Sequence, residues 1–121
     1  MNEPQATTTL VTRQARAWFA ARGVQAGDVV ALCAPDCIDV SVTKQAISSI
    51  GAVELTLSPL SSRRNLSAQL CGSGARWLVT TCDLLAQKLE VAARPTTVIR
   101  TFLIGSAAGS VTAPGGLADA D

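Results

Sequence analysis

The chain has no histidine and no tyrosine. Without imidazole there is no ordinary partner base for a nucleophilic cysteine or serine, and no Cys/His zinc site can be completed. Aromatic residues make up only 3% of the chain, as two Trp and two Phe, which is too few to build a base-stacking surface. Charge is sparse as well: 10 Lys and Arg stand against 9 Asp and Glu, with no basic stripe to neutralise a phosphate backbone. Nucleic-acid binding is therefore disfavoured. No apolar run approaches the roughly 18 residues that would span a bilayer. The opening Met1-Asn2-Glu3-Pro4 carries neither the basic region nor the apolar stretch of a secretory signal, so a cytoplasmic address is expected. Cys33, Cys37, Cys71 and Cys82 form no C-x-x-C pair. In a reducing compartment they read as free thiols packed as small apolar groups.

What the chain does have is apolar residues. They make up 48% of its 121 residues, against 16% charged. An average protein carries about 25% charged residues, so the deficit implies that some surface is normally covered by another body. The length suits one domain. The sequence divides into a frayed tail at 1–9, a folded region at 10–105 and a linker or disordered tail at 106–121, which is mostly Ala, Gly, Ser and Asp with little pattern.

Within the folded region, helical and strand patterns alternate. Leu10, Val11, Ala15, Trp18 and Phe19 recur at helical spacing, and Gly23 can end that helix. Val29 to Ala34 is a short continuous apolar run, as expected of a strand buried on both faces. A helix to about Ile50 follows, with Ile38, Val42, Ala46, Ile47 and Ile50 on its buried stripe. A strand is predicted at 52–57, a helix at 62–71, a strand at 76–81, a helix from Asp83 to about Ala93, and a strand at 98–104. Strands joined by helices run parallel with right-handed crossovers. The expected fold is α/β, a three-layer Rossmann-like parallel sheet with alternating helices.

Such a sheet binds ligands at the carboxyl ends of its strands. The turn after the first strand, Ala34-Pro35-Asp36-Cys37, lacks the G-x-G-x-x-G that lets backbone amides approach a pyrophosphate. Gly105-Ser106-Ala107-Ala108-Gly109-Ser110 is glycine-rich but has no Lys to meet a terminal phosphate, and no Lys follows Lys88 anywhere. Cys37 lies near a helix start that could lower its pKa, yet it has no base and reads as an inert thiol. Asp36 and Asp39 fit helix capping better than metal binding or acid–base work. Arg63 and Arg64 read as a solvated face. No catalytic, cofactor-binding or metal-ligating residue is assigned.

Four stretches resemble the start of the adenylate-forming superfamily, most closely its fatty-acyl-CoA synthetases and 4-coumarate–CoA ligases. Ala20 through Leu32 is similar to a helix–turn–strand entry of the form A-R-G-V-x-x-G-D-x-V-A. Ala34-Pro35-Asp36-Cys37 is similar to a P-N-S turn, Ile47 to Pro59 to L-K-A-G-A-V followed by a proline, and Leu70 to Thr80 to L-x-D-S-G-A-R-x-L-V-T. The chain departs from the pattern at Ser49-Ile50-Gly51, Ser58-Pro59 and Gly72. Pro4-Gln5-Ala6-Thr7-Thr8 also stands where a T-Y-x-E-L segment is usual. The resemblance implies a partial N-terminal subdomain of an AMP-forming acyl-CoA ligase. In complete relatives ATP adenylates a carboxylate with loss of pyrophosphate, and CoA then displaces AMP. The phosphate loop ending in Pro-Lys-Gly and the late catalytic Lys of those relatives have no counterpart here. ATP, magnesium and CoA are thus implied only for a complete relative, and the isolated chain is expected to be inactive. The alternative is a non-catalytic interaction module or a gene remnant that retained the fold. Expected partners are the remainder of a ligase or a second copy of the chain.

Overall fold

The computed structural model describes residues 3–35, 38–94, 96–104 and 117–119. Helix α1 spans Glu3–Ala21, ahead of the point where apolar periodicity begins at Leu10. Ala15 and Phe19, one turn apart, are its fully buried positions among the residues whose burial is described. The chain then turns through Gly23, whose φ of 103° a side chain would resist, into β1 (Val29–Cys33). Helix α2 (Ile38–Ile50), β2 (Val53–Thr56), α3 (Arg63–Ser73) and β3 (Trp77–Thr80) follow. Helix α3 starts on Ser62, whose hydroxyl accepts the Asn65 amide, and ends on Gly74 in a left-handed conformation. The next helical stretch runs as α4 (Cys82–Leu84), a wider π-helical segment (Leu85–Leu89) and α5 (Glu90–Ala93). Strand β4 covers Arg100–Ile104 and β5 Leu117–Asp119.

The sheet order is β2-β1-β3-β4-β5. β1 pairs in parallel with β2 and β3, and β3 in parallel with β4. The expected parallel strands are therefore all present, each shorter than its apolar run by one to two residues at an end. Side chains alternate across the pleat. From β1, Val30 and Leu32 join Ala15, Phe19, Ala46 and Ile47 in a core under α1 and α2. Ala31 and Cys33 join Leu66, Leu70, Leu89 and Ala92 in a second core under α3 and α5. These two cores make the three-layer α/β arrangement.

Two expectations need correcting. Residues 1–9 read as a frayed tail, yet α1 begins at Glu3, since a helix once nucleated propagates into flanking residues that lack apolar periodicity. Residues 106–121 read as a linker or disordered tail, yet Leu117–Asp119 forms β5, antiparallel to β4, with Phe102 opposite Asp119 and Ile104 opposite Leu117. Three residues among Gly, Ala and Asp give too short a pattern to read as a strand, and tertiary pairing supplies the order.

Candidate functional site

The strand order reverses between β1 and β3, so the crevice favoured for ligands lies where those two strands end. Cys33 and Thr80 are register partners there. The buried Thr80 hydroxyl donates to the Cys33 carbonyl at 2.8 Å, which ties the two strand ends together. Thr81 Oγ1 accepts the Leu84 amide at 3.3 Å and starts α4. The Cys33 thiol is buried, and burial pushes its pKa up while the nearby Lys88 charge pulls the other way. It is a packed thiol, as the sequence suggests. Asp36 and Cys37 lie outside the described residues, and so does the Gly105–Ser110 loop. Asp39 falls in the first turn of α2 and Cys82 at the start of α4, but their side chains are not described.

Two polar clusters brace the sheet, one beside this edge and one at the opposite, amino ends of β1 and β3, and neither was visible in the sequence. In the first, Lys88 Nζ donates to the Pro59 carbonyl at 2.7 Å and the Ser61 carbonyl at 2.8 Å. Arg63 Nη2 donates to the Gln87 carbonyl at 2.8 Å, joined by Nε at 3.3 Å. The π-helical segment and the loop entering α3 are thus laced together by cations on carbonyls. Arg63 is exposed, as expected of a solvated face, and also bonds the Gln87 carbonyl. In the second cluster, Asp28 accepts the Trp77 indole N–H and the Gln25 amide, each at 3.0 Å, with Arg76 at 3.7 Å. Burial works to raise the Asp28 pKa, but these donors outweigh it and hold the carboxyl below its usual range. This cluster closes the turn between α1 and β1. Both are scaffold contacts joining elements far apart in sequence. Spacing alone carries no signal for them.

A groove of about 330 Å³ opens between α5 and β4, lined by Leu85, Leu89, Glu90, Arg94, Ile99 and Arg100 among others. Ile99 is 61% exposed beside it, and Val91 on α5 is also exposed. Elsewhere, the Thr43 hydroxyl on α2 is buried without a hydrogen-bond partner among the described residues.

Among the described residues at the strand ends, the Thr80 and Thr81 hydroxyls and the Lys88 ammonium each bond a protein group. Among the described residues no group of three or more His, Cys, Asp or Glu converges on a metal position. No described helix is long and apolar enough to cross a membrane.

Comparison with known proteins brings these observations together. The family model described as AMP-binding enzyme matches residues 8–115. No curated protein matches the chain. Among solved structures, the fold is similar to a long-chain-fatty-acid–CoA ligase from Archaeoglobus fulgidus, with a TM-score of 0.76 and 27% identity over 83% of this chain and 20% of that one. It is similar to a luciferase-like enzyme from the nonluminescent mealworm Zophobas morio, with a TM-score of 0.75 and 21% identity over 83% of this chain and 24% of that one. A Mycobacterium tuberculosis fatty acyl CoA synthetase gives a TM-score of 0.74 and 20% identity, over 86% of this chain and 21% of that one. The chain thus spans between 20% and 24% of the length of these proteins.

Proposed function

We infer the role of this chain from one premise: it belongs to the AMP-binding enzyme family. Our reading is that it forms the N-terminal part of an AMP-forming acyl-CoA ligase and does not catalyse the reaction alone. The observation that carries this is coverage. The family match takes in residues 8–115, while the 27%-identical fatty-acid–CoA ligase extends far beyond the aligned region. Adenylyl transfer needs preorganised positive charge and amide dipoles around the phosphates. A Pro-Lys-Gly loop is absent from the sequence, and Lys88, its last lysine, is held by the Pro59 and Ser61 carbonyls.

In this reading the chain is scaffold. It supplies a sheet with a helical layer on each face, and the groove between α5 and β4, with Ile99 exposed beside it, is where further protein packs. ATP, magnesium and CoA belong to the completed enzyme, whose expected compartment is the cytoplasm. Without the remainder, the chain is expected to associate with itself through its exposed apolar positions.

The test is ATP–pyrophosphate exchange with a panel of fatty and aromatic acids. The chain alone should give exchange no higher than a no-enzyme control. Adding a downstream segment that carries the phosphate loop and late lysine should restore it. Exchange by the chain alone, in a sample free of host ligases, overturns the reading.

A further inference from the structure

The far edge of the sheet is held in an unusual way. β5 is only three residues long and is the one antiparallel strand of the five in the sheet. Backbone pairing over so short a span is weak, and two side chains do most of the holding. Leu117 is fully buried against the core that contains Phe102 and Ile104. Asp119 takes a two-pronged grip from Arg22, with Nε on Oδ1 and Nη2 on Oδ2, both at 3.0 Å. Arg100 Nη2 adds a third donor at 3.1 Å.

Arg22 is set in place without β5. Its Nη1 donates to the Trp18 carbonyl at 3.1 Å, and its guanidinium carbon lies 3.6 Å from the Trp18 ring centroid. That stacking fixes the planar fork before any carboxylate arrives. β5 thus leans on α1 through an arginine whose seat on Trp18 uses no β5 group, although Leu117 shares the first core with Ala15 and Phe19. The second core, built from Ala31, Leu66, Leu70, Leu78 and Leu89, contains no β5 residue.

We propose that β5 is a releasable clasp: a local opening unit, locked onto β4 by Arg22 and Arg100 gripping Asp119, that can detach while β1, β3 and the second core stay folded. Its release bares the outer backbone edge of Phe102–Ile104. Partial openings of this kind are drawn from the less stable margins of a fold.

Hydrogen exchange on the full chain, read by mass spectrometry, tests this. In Asp119→Ala, peptides covering Phe102–Ile104 and Leu117–Asp119 should exchange on the order of tenfold faster, the scale expected when hydrogen bonds to a charged group are lost. Peptides covering Val29–Cys33 and Trp77–Thr80 should keep their rates. Asp119→Asn should fall between, because its amide oxygen can still accept from Arg22. The same release should follow from acid. Hydrogen bonding from Arg22 holds the Asp119 carboxyl below its ordinary 3.8; burial opposes this, and the Arg22 and Arg100 charges reinforce it. A depressed folded value means that the lock is complete above that ordinary value and is lost as pH falls through the folded one. The groups facing Asp119 are Arg22 from α1 and Arg100 from β4. The unsubstituted chain gives an independent readout. Under sub-denaturing urea, the β4 edge and β5 should open at lower free energy than β1 and β3. Equal acceleration of all four strands in Asp119→Ala, unchanged rates at β4, or a single opening free energy in the unsubstituted chain would each overturn the clasp.

Discussion

Replacing Phe102 by alanine should remove a large share of the chain's stability. Phe102 is fully buried on β4 and touches every other aromatic residue in the sequence. Its ring centroid is 5.1 Å from Trp18 and 5.6 Å from Phe19, both edge-on, and 5.8 Å from Trp77, stacked at 10°. One side chain therefore joins α1, β3 and β4. Deleting a buried Phe costs about 3–5 kcal/mol through lost transfer energy and the cavity left behind. Aromatic pairs contribute about 0.5–1.5 kcal/mol beyond area, and the loss of all three pairs favours the upper end. A native domain holds only about 5–15 kcal/mol in total. With a urea dependence of about 2 kcal/mol per molar, the unfolding midpoint should fall by roughly 2 M. Phe102→Leu keeps most of the apolar volume, should cost about 1.5 kcal/mol, and should shift the midpoint by less than about 1 M. Tryptophan fluorescence is the natural signal, because both indoles contact the ring. A shift under about 0.5 M for the alanine variant, or equal shifts for the two variants, would refute the hub assignment.

Two further outcomes separate local causes. Gly51 and Gly74 both have positive φ, 90° and 70°, but a Cβ at Gly51 would lie 3.3 Å from the Ala26 Cβ, while one at Gly74 meets nothing within 4 Å. Gly74→Ala should cost about 1 kcal/mol from conformation alone, and Gly51→Ala clearly more; equal urea midpoints would contradict this. Iodoacetamide on the native chain, followed by peptide mapping, should label the exposed Cys71 well before the buried Cys33, whose raised pKa also withholds thiolate. Labelling of Cys33 at the Cys71 rate would show that the β1 end is open.

Most of the layered core could be read in advance because its signals are local. The run Val29 to Cys33 is apolar at every position, and a strand with both faces covered needs that. The glycines at 23, 51 and 74 mark helix exits, and each adopts a positive φ. The helix from Asp83 to Ala93 was legible as helix, but its π-helical middle was not, since a widened turn leaves the apolar spacing almost unchanged. β5 was invisible for a different reason. Its stability comes from Leu117 entering a core built elsewhere and from Asp119 meeting an arginine 97 positions away. No window of sequence contains both ends of that contact.

The same distinction explains why the candidate site yields structure and no chemistry. Reading for chemistry looks for reactive residue types in close spacing, and this chain has no histidine and no lysine beyond Lys88. The polar groups near the carboxyl ends of the strands are engaged across distance, Lys88 reaching back 29 residues to Pro59 and Thr80 reaching 47 to Cys33, and at the opposite, amino ends Trp77 reaches 49 to Asp28. Each of these bonds satisfies a buried or half-buried group that would otherwise cost about 1–3 kcal/mol. A cation tied to two carbonyls, and a hydroxyl tied to a strand end, are poorly placed to turn toward a substrate. These contacts hold the ends of β1, β2 and β3 in register, which is the work of a frame.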